Sequence, residues 1–381
     1  MKPLGFITGT GQTQFGELFD QSLTDLVWQA GSQAIQSAEI TPEQLEFVII
    51  ASMTAVDLSQ QGHLSALVKQ LWPEITAPVF SVEAACASSS SALGVGLSYL
   101  SQAKHGLVIG VEKLTDYDTG RVANALMRAA FYQQETVQGA TFPGLGGLIA
   151  LAYLSQYKLD PELLGLVAVK NHYHGQFNPL AQIQRAIKLA DYLASPWVAE
   201  PLRLLDCAPI SDGASAVVIS ARPKSAQAAI IGWQQAHAPI SLHQRESLTQ
   251  FQALLQVWRQ LQQQTGVKQS QIDVLELHDA FTVLEPMILE HLGFYPAGQA
   301  LVKGYQTKQT YLTGSLPVNA SGGYKACGHP VAASGLRQII DLTRQVSGQA
   351  GKYQVDSADI GLAINFGGMA GTVVGTVVQK I

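Results

Sequence analysis

Ser81-Val82-Glu83-Ala84-Ala85-Cys86-Ala87-Ser88-Ser89-Ser90-Ser91-Ala92-Leu93-Gly94 joins a strand-like approach to a run of small residues suited to a helix packed closely on every side. A thiol at the start of such a helix meets the positive end of the backbone dipole, which favours thiolate, while the flanking Ala and Ser leave room for a substrate. Alone, the same context also describes a cysteine that is simply a small core residue. A second segment shifts the balance: Asn319-Ala320-Ser321-Gly322-Gly323-Tyr324-Lys325-Ala326-Cys327-Gly328-His329-Pro330-Val331-Ala332-Ala333-Ser334-Gly335. It places His329 at another small-residue helix start, where Pro330 suits the first turn and the glycines admit close approach of a ligand. A third, Glu276-Leu277-His278-Asp279-Ala280-Phe281-Thr282, ends the apolar run Ile272-Asp273-Val274-Leu275. Two histidines thus follow strand-like or glycine-rich stretches, where loops commonly carry chemistry.

Outward from these segments, both ends of the chain run through the same series of elements. Strand-like Glu46-Phe47-Val48-Ile49-Ile50 precedes the Cys86 helix, and His105-Gly106-Leu107-Val108-Ile109-Gly110-Val111 follows it. Ile272 to Leu277 precedes the His329 helix, followed by Ile360 to Asn365 and Gly371 to Val378. The counterpart of that last strand is Gly213 to Ser220, so residues 116–204 read as an insertion covering one face of the core. Gln182 to Lys188 in this insertion has helical spacing, and Phe177-Asn178-Pro179 reads as a turn. Ser247 to Gln264 reads as a surface helix with an apolar stripe.

The chain of 381 residues is long enough for more than one structural unit. A net charge of -5 with 13% charged residues offers no broad basic surface, which argues against nucleic acid. Cys86, Cys207 and Cys327 have neither the number nor the spacing of a disulfide framework or a zinc site, which fits a reducing cytoplasm and no metal. The N-terminal stretch lacks a signal-peptide pattern. Gly139 to Tyr157 is the most membrane-like run, but Pro143, Gly144, Gly146 and Gly147 mark it as buried protein, so no membrane is expected.

With Cys86 in its small-residue helix, His278 in His-Asp-Ala-Phe and His329 in Gly-His-Pro, the chain resembles the thiolase superfamily almost end to end. It is most similar to the archaeal-type and sterol-carrier-protein-type thiolases through Val111-Glu112-Lys113, Gly139 to Gly144, Lys170-Asn171-His172, Ser195 to Ala199 and Pro201 to Cys207. The resemblance implies an α/β thiolase fold: two duplicated halves in a five-layered αβαβα core with an inserted loop domain. It places the first half at residues 1–115 and 205–222, the loop domain at 116–204 and the second half at 223–381. It also implies acyl-coenzyme A as substrate with no permanently bound cofactor, and a homodimer or homotetramer.

By the same resemblance, Cys86 is the acyl-accepting nucleophile, His329 takes its proton, and His278, His329 and backbone N–H groups near Cys86 and Gly368 stabilise the oxyanion. The second reactive cysteine of many thiolases is missing. The usual Cys-x-Gly-Gly-Gly reads Asn365-Phe366-Gly367-Gly368-Met369, which leaves His329, His278 or Cys327 as the base for the second half-reaction. Asp279 reads either as a cap or core ion-pair partner or as a group orienting His278. Ala332 stands where the family usually has glycine. Arg203, Lys188 and His172 are candidates for contacting coenzyme A, although His172 and His174 also read as exposed loop histidines. Archaeal-type relatives commonly work beside a synthase and a small zinc-ribbon/OB-fold protein. A partner-dependent acyltransferase acting on another acceptor, or a non-catalytic acyl-coenzyme A scaffold, are therefore the competing expectations.

Overall fold

The computed structural model describes residues 2–381. Its first half runs β1 (Gly5–Gln12), α1 (Leu23–Ser37), β2 (Phe47–Ala51), α2 (Leu64–Leu71), β3 (Val79–Val82), α3 (Ser88–Tyr99) and β4 (His105–Glu112). Four helices and two short strands come next: α4 (Thr119–Leu126), α5 (Phe142–Tyr157), α6 (Leu164–Gly175), α7 (Leu189–Ala194), β5 (Trp197–Ala199) and β6 (Leu202–Arg203). β7 (Gly213–Ser220) returns to the first sheet. The remainder is β8 (Ala228–His237), α8 (Gln252–Thr265), β9 (Val274–Leu277), α9 (Leu284–His291), α10 (Gly323–Cys327), α11 (Ser334–Val346), β10 (Ile360–Gly367) and β11 (Thr372–Gln379).

The nine long strands lie in the order β3-β2-β4-β7-β1-β8-β11-β10-β9. β1 and β8 pair only from Gly5 to Ile7, so two sheets meet edge to edge at a three-residue seam. Each half repeats one pattern. β2 runs parallel to β4, which pairs antiparallel with β7; β9 runs parallel to β10, which pairs antiparallel with β11. The parallel bridge of Leu275 to Val318 stands where β3 flanks β2.

Side-chain alternation turns these sheets into layers. Every residue of β2 is buried, with Val48 and Ile50 facing α1 while Phe47 and Ile49 face α3 and α11. A strand covered on both faces needs apolar residues at every position, which explains the unbroken Phe-Val-Ile-Ile-Ala run. In β10, Leu362 and Ile364 face α8 and α9, while Ala363 faces the central helices. The order is helix, sheet, the central pair α3 and α11, sheet, helix.

The central pair packs closely because its contact surfaces are small. A Cβ on Gly335 would lie 2.2 Å from Ser90 Oγ, and one on Gly110 would lie 2.5 Å from the Ala332 carbonyl oxygen. Leu336 N–H donates to Ser89 Oγ at 3.0 Å across this contact. The serines therefore satisfy backbone groups inside the core, where an unpaired one costs about 1–3 kcal/mol. Ala332 is fully buried at this crossing.

α5 starts where Thr141 Oγ1 accepts from Gly144 N–H at 3.2 Å, with Pro143 in the first turn. Among the described residues no helix is long and apolar enough to cross a membrane. Two expectations for this region fail. Gln182 to Lys188 is not helical: Gln182 N–H donates to the Cys327 carbonyl at 3.2 Å and Ile183 N–H to that of Ala326 at 2.9 Å. His172 and His174 are buried on α6 rather than exposed in a loop. The stripe expected from Ser247 begins its helix only at Gln252, burying Leu254, Val257, Trp258 and Leu261.

Candidate active site

Cys86 sits in a tight turn between β3 and α3. Glu83 Oε1 accepts from Ala85 N–H at 2.6 Å, and Ser88 Oγ accepts from Ala84 N–H at 2.9 Å. Ala85 is held at φ +53°, a conformation costing a non-glycine residue roughly 1–2 kcal/mol. The turn brings the sulfur to the end of β10, whose Gly367 approaches so closely that a Cβ would lie 2.4 Å from the Ala84 carbonyl oxygen. Backbone N–H groups of Gly368 and of Cys86 itself favour the thiolate, yet burial outweighs them and pushes the thiol up to about 12. The acidification expected from the helix dipole alone is overturned. Desolvation in a largely apolar site is the larger effect, reinforced by the nearby Glu112 and Glu83.

The two histidines are held in opposite tautomers. Phe366 N–H points at His278 Nδ1 at 3.2 Å, so Nδ1 is an acceptor and Nε2 carries the proton. His329 Nδ1 lies 2.8 Å from Ser334 Oγ, which also lies 3.0 Å from the Pro330 carbonyl oxygen. The serine has one proton, and two oxygens 3.0 Å apart need it between them. Ser334 therefore donates to Pro330 and accepts from His329 Nδ1–H. His329 Nε2 is left with a lone pair, buried and without a partner. Burial first and Arg337 second push His329 down to about 3; burial first and His329 second push His278 well below its usual value. Both rings are neutral at pH 7, one presenting a base and the other a donor. Their centroids lie 5.5 Å apart with planes at 90°.

Cys86, His278, His329 and Gly368 line one pocket of about 400 Å³. Met53, Phe142, Phe281, Leu284 and Met369 make most of its surface apolar. α4 and α5 form part of the wall opposite the core, so the segment between β4 and β7 closes the site. Glu112 shapes another wall by accepting from Met53 N–H, from Ser52 Oγ at 3.1 Å, and from Thr54 N–H at 3.2 Å. Burial pushes its carboxyl up to about 7. Among the described residues no cluster of three or more His, Cys, Asp or Glu is arranged to hold a metal ion.

Two family models together match nearly the whole chain. The thiolase N-terminal domain model matches residues 6–223, and the thiolase C-terminal domain-like model matches residues 234–380. The chain belongs to the thiolase family. This thiolase is 35% identical over 373 residues to the acetyl-CoA acetyltransferase of Methanothermobacter thermautotrophicus, covering 96% of this chain and 97% of that protein. It is 33% identical over 380 residues to the acetyl-CoA acetyltransferase of Methanocaldococcus jannaschii, covering 96% of each. The solved Ltp2-ChsH2(DUF35) aldolase has the same fold, with a TM-score of 0.86 at 24% identity over 100% of this chain and 99% of that one.

Other candidates of this thiolase lie apart from the three central groups. Cys327 is a correction: it is fully buried, does not line the pocket, and its thiol donates to the Ser321 carbonyl at 3.0 Å, so it has no route to a substrate proton. His172 is also outside the pocket, with Nδ1 3.3 Å from the Arg185 carbonyl oxygen, and burial pushes it down to about 4. Lys188 is exposed at the start of α7, and its side chain does not line the pocket. Arg203 is half-buried, donates to the Ser195 carbonyl at 2.8 Å and packs 3.7 Å from the Trp197 ring centre, next to the pocket residues Val198 and Leu204. Asp279 caps α10 through Tyr324 N–H at 2.6 Å and Lys325 N–H at 3.2 Å, which decides for the capping role. The wall built by Glu112 and the contacts of Tyr324 went unread. Glu112 stood in plain view as a carboxylate ending an otherwise apolar strand.

Proposed function

We propose that this thiolase transfers acyl groups between coenzyme A thioesters through a covalent Cys86 intermediate, making or breaking a carbon–carbon bond. Its relatives named acetyl-CoA acetyltransferase support acetyl-CoA as one substrate. The observation that carries the proposal is the pairing of tautomers beside one thiol. As the sulfur attacks the thioester carbonyl carbon, the thiol proton passes to His329 Nε2 and a new carbon–sulfur bond forms. The oxyanion is stabilised by backbone N–H groups of Cys86 and Gly368, each donor contributing a few kcal/mol. Collapse expels coenzyme A thiolate, which takes the proton back from His329. His278 Nε2–H then serves the carbonyl oxygen of the second substrate while His329 removes its α-proton. The carbanion attacks the acyl-Cys86 carbonyl, the carbon–carbon bond forms as the carbon–sulfur bond breaks, and the departing Cys86 thiolate takes the proton from His329. The apolar wall favours an acyl group without charge, and Arg203, next in the chain to the pocket residue Leu204, is the proposed contact for coenzyme phosphates.

The division into halves 1–115 with 205–222 and 223–381 around a loop domain 116–204 belongs to the same proposal, as do cytoplasmic location, a role in lipid metabolism and homo-oligomer formation. A requirement for a partner is the second reading, supported by the solved neighbour, whose name joins Ltp2 to a DUF35 protein. Thiolysis of acetoacetyl-coenzyme A by the isolated chain tests both. Turnover that disappears in Cys86→Ala supports the self-sufficient enzyme. Activity only upon addition of a DUF35 protein supports the second reading, and no turnover in either case refutes the acyltransferase.

A further inference from the structure

Tyr324 is fully buried and packs against both imidazoles, and no step above uses it. Its ring lies flat against His329, with centroids 4.4 Å apart and planes at 10°, and meets His278 edge-on at 4.9 Å and 80°. The Arg337 guanidinium lies 5.2 Å from the same ring centre, fixed by Asp341 at 2.7 Å and Ser321 Oγ at 2.6 Å. The hydroxyl accepts from Asn365 Nδ2 at 2.7 Å, and Asn365 Oδ1 accepts from Ser90 Oγ at 3.0 Å. The amide is turned this way because its Nδ2 also lies 3.5 Å from His278 Nδ1. An oxygen there would face the lone pair that already accepts from Phe366.

His329 is anchored by one hydrogen bond through Nδ1, which leaves the ring free to tilt about that contact. A flat neighbour stacked on the face of the ring removes that freedom. We infer that Tyr324 is a positioning residue for acyl transfer: its ring, stacked on the imidazole, clamps His329 so that Nε2 stays presented to the Cys86 pocket. The inference deepens the acyltransferase proposal and rests on it only for the meaning of the transfer step. Tyr324 does not line the pocket, so replacing it removes no lining side chain, and its effect on the site runs through the rings it packs against.

The test is alkylation of Cys86 by iodoacetamide at pH 7, read on the Cys86 peptide by mass spectrometry, with acetyl-coenzyme A acylation measured alongside. A thiol held protonated by burial needs the imidazole for both reactions. Tyr324→Leu is expected to slow both by about tenfold or more, part of the 10²–10⁴ that a placed general base supplies, with KM for acetyl-coenzyme A little changed. Tyr324→Phe keeps the ring and is expected to stay within about threefold of the parent. A folded Tyr324→Leu that alkylates at the parent rate overturns the inference, as does Tyr324→Phe falling as far as Tyr324→Leu. If the leucine chain does not fold, Tyr324→Met replaces it under the same criteria, and a tenfold loss in Tyr324→Phe still overturns the clamp. Parent enzyme that alkylates as described but never acylates sinks the acyltransferase proposal and leaves the clamp standing.

Discussion

Adding one methyl group at Gly368 separates the backbone donor from everything else in the site. Gly368 sits at φ +58°, and a Cβ there would lie 2.7 Å from the Ala129 carbonyl oxygen. The left-handed conformation costs a residue with a Cβ about 1–2 kcal/mol. Overpacking adds about 1–3 kcal/mol, because the atom met is backbone and cannot rotate aside. The turn can relieve both only by moving, which takes its N–H away from the Cys86 sulfur. Loss of one such donor lowers kcat by about 10²–10³ in comparable sites. Gly368→Ala is therefore expected to melt at lower temperature, to release coenzyme A from acetyl-coenzyme A about 10² more slowly in a single turnover, and to keep KM within a small factor. Stopped-flow acylation and a thermal melt on the same preparation measure all three. A variant that melts earlier yet acylates at the parent rate refutes the role given to this N–H.

The pH dependence of acylation follows from two buried neutral groups. Cys86 stays protonated below about 12 and His329 stays unprotonated above about 3, so the single-turnover rate is expected to be flat from about pH 5 to 9. An acid limb centred at the ordinary imidazole value of 6.5 would contradict the assignment. Cys327→Ala is expected to leave thiolysis and its pH profile within about threefold, at a stability cost of about 1 kcal/mol, and a loss of turnover with retained folding would return Cys327 to the mechanism. Lys170 and Glu285 form a fully buried ion pair, with Glu285 also bonded to Tyr305 Oη at 2.7 Å and Asn319 Nδ2 at 2.6 Å. Lys170→Met strands that carboxylate and is expected to cost about 3–5 kcal/mol in urea unfolding, with Glu285→Gln recovering part of it in the double variant.

Much of the architecture could be read from residues 46–50, 272–277 and 360–365, because strands buried on both faces must be apolar throughout and so announce themselves. The duplication was legible for the same reason. The meeting of Cys86, His278 and His329 came from motifs, since no local pattern specifies contacts across the chain. What escaped notice depends on tertiary context. The helix dipole at Cys86 is local, but the desolvation that overrides it comes from a pocket assembled by distant residues such as Met53 and Phe142. Gln182 to Lys188 has helical spacing, yet its donors find carbonyls at the end of α10 instead. His172 and His174 look polar and loop-like, but α6 is enclosed on more than one side, and each ring nitrogen Nδ1 faces a backbone carbonyl.

Mass spectrometry of the protein after brief exposure to acetyl-coenzyme A tests the central claim most directly. One acetyl group on the Cys86 peptide in the parent, and none in His329→Asn under the same exposure, is the predicted result. An unmodified Cys86 in the parent, or equal acetylation without His329, would contradict a thiol activated by that imidazole.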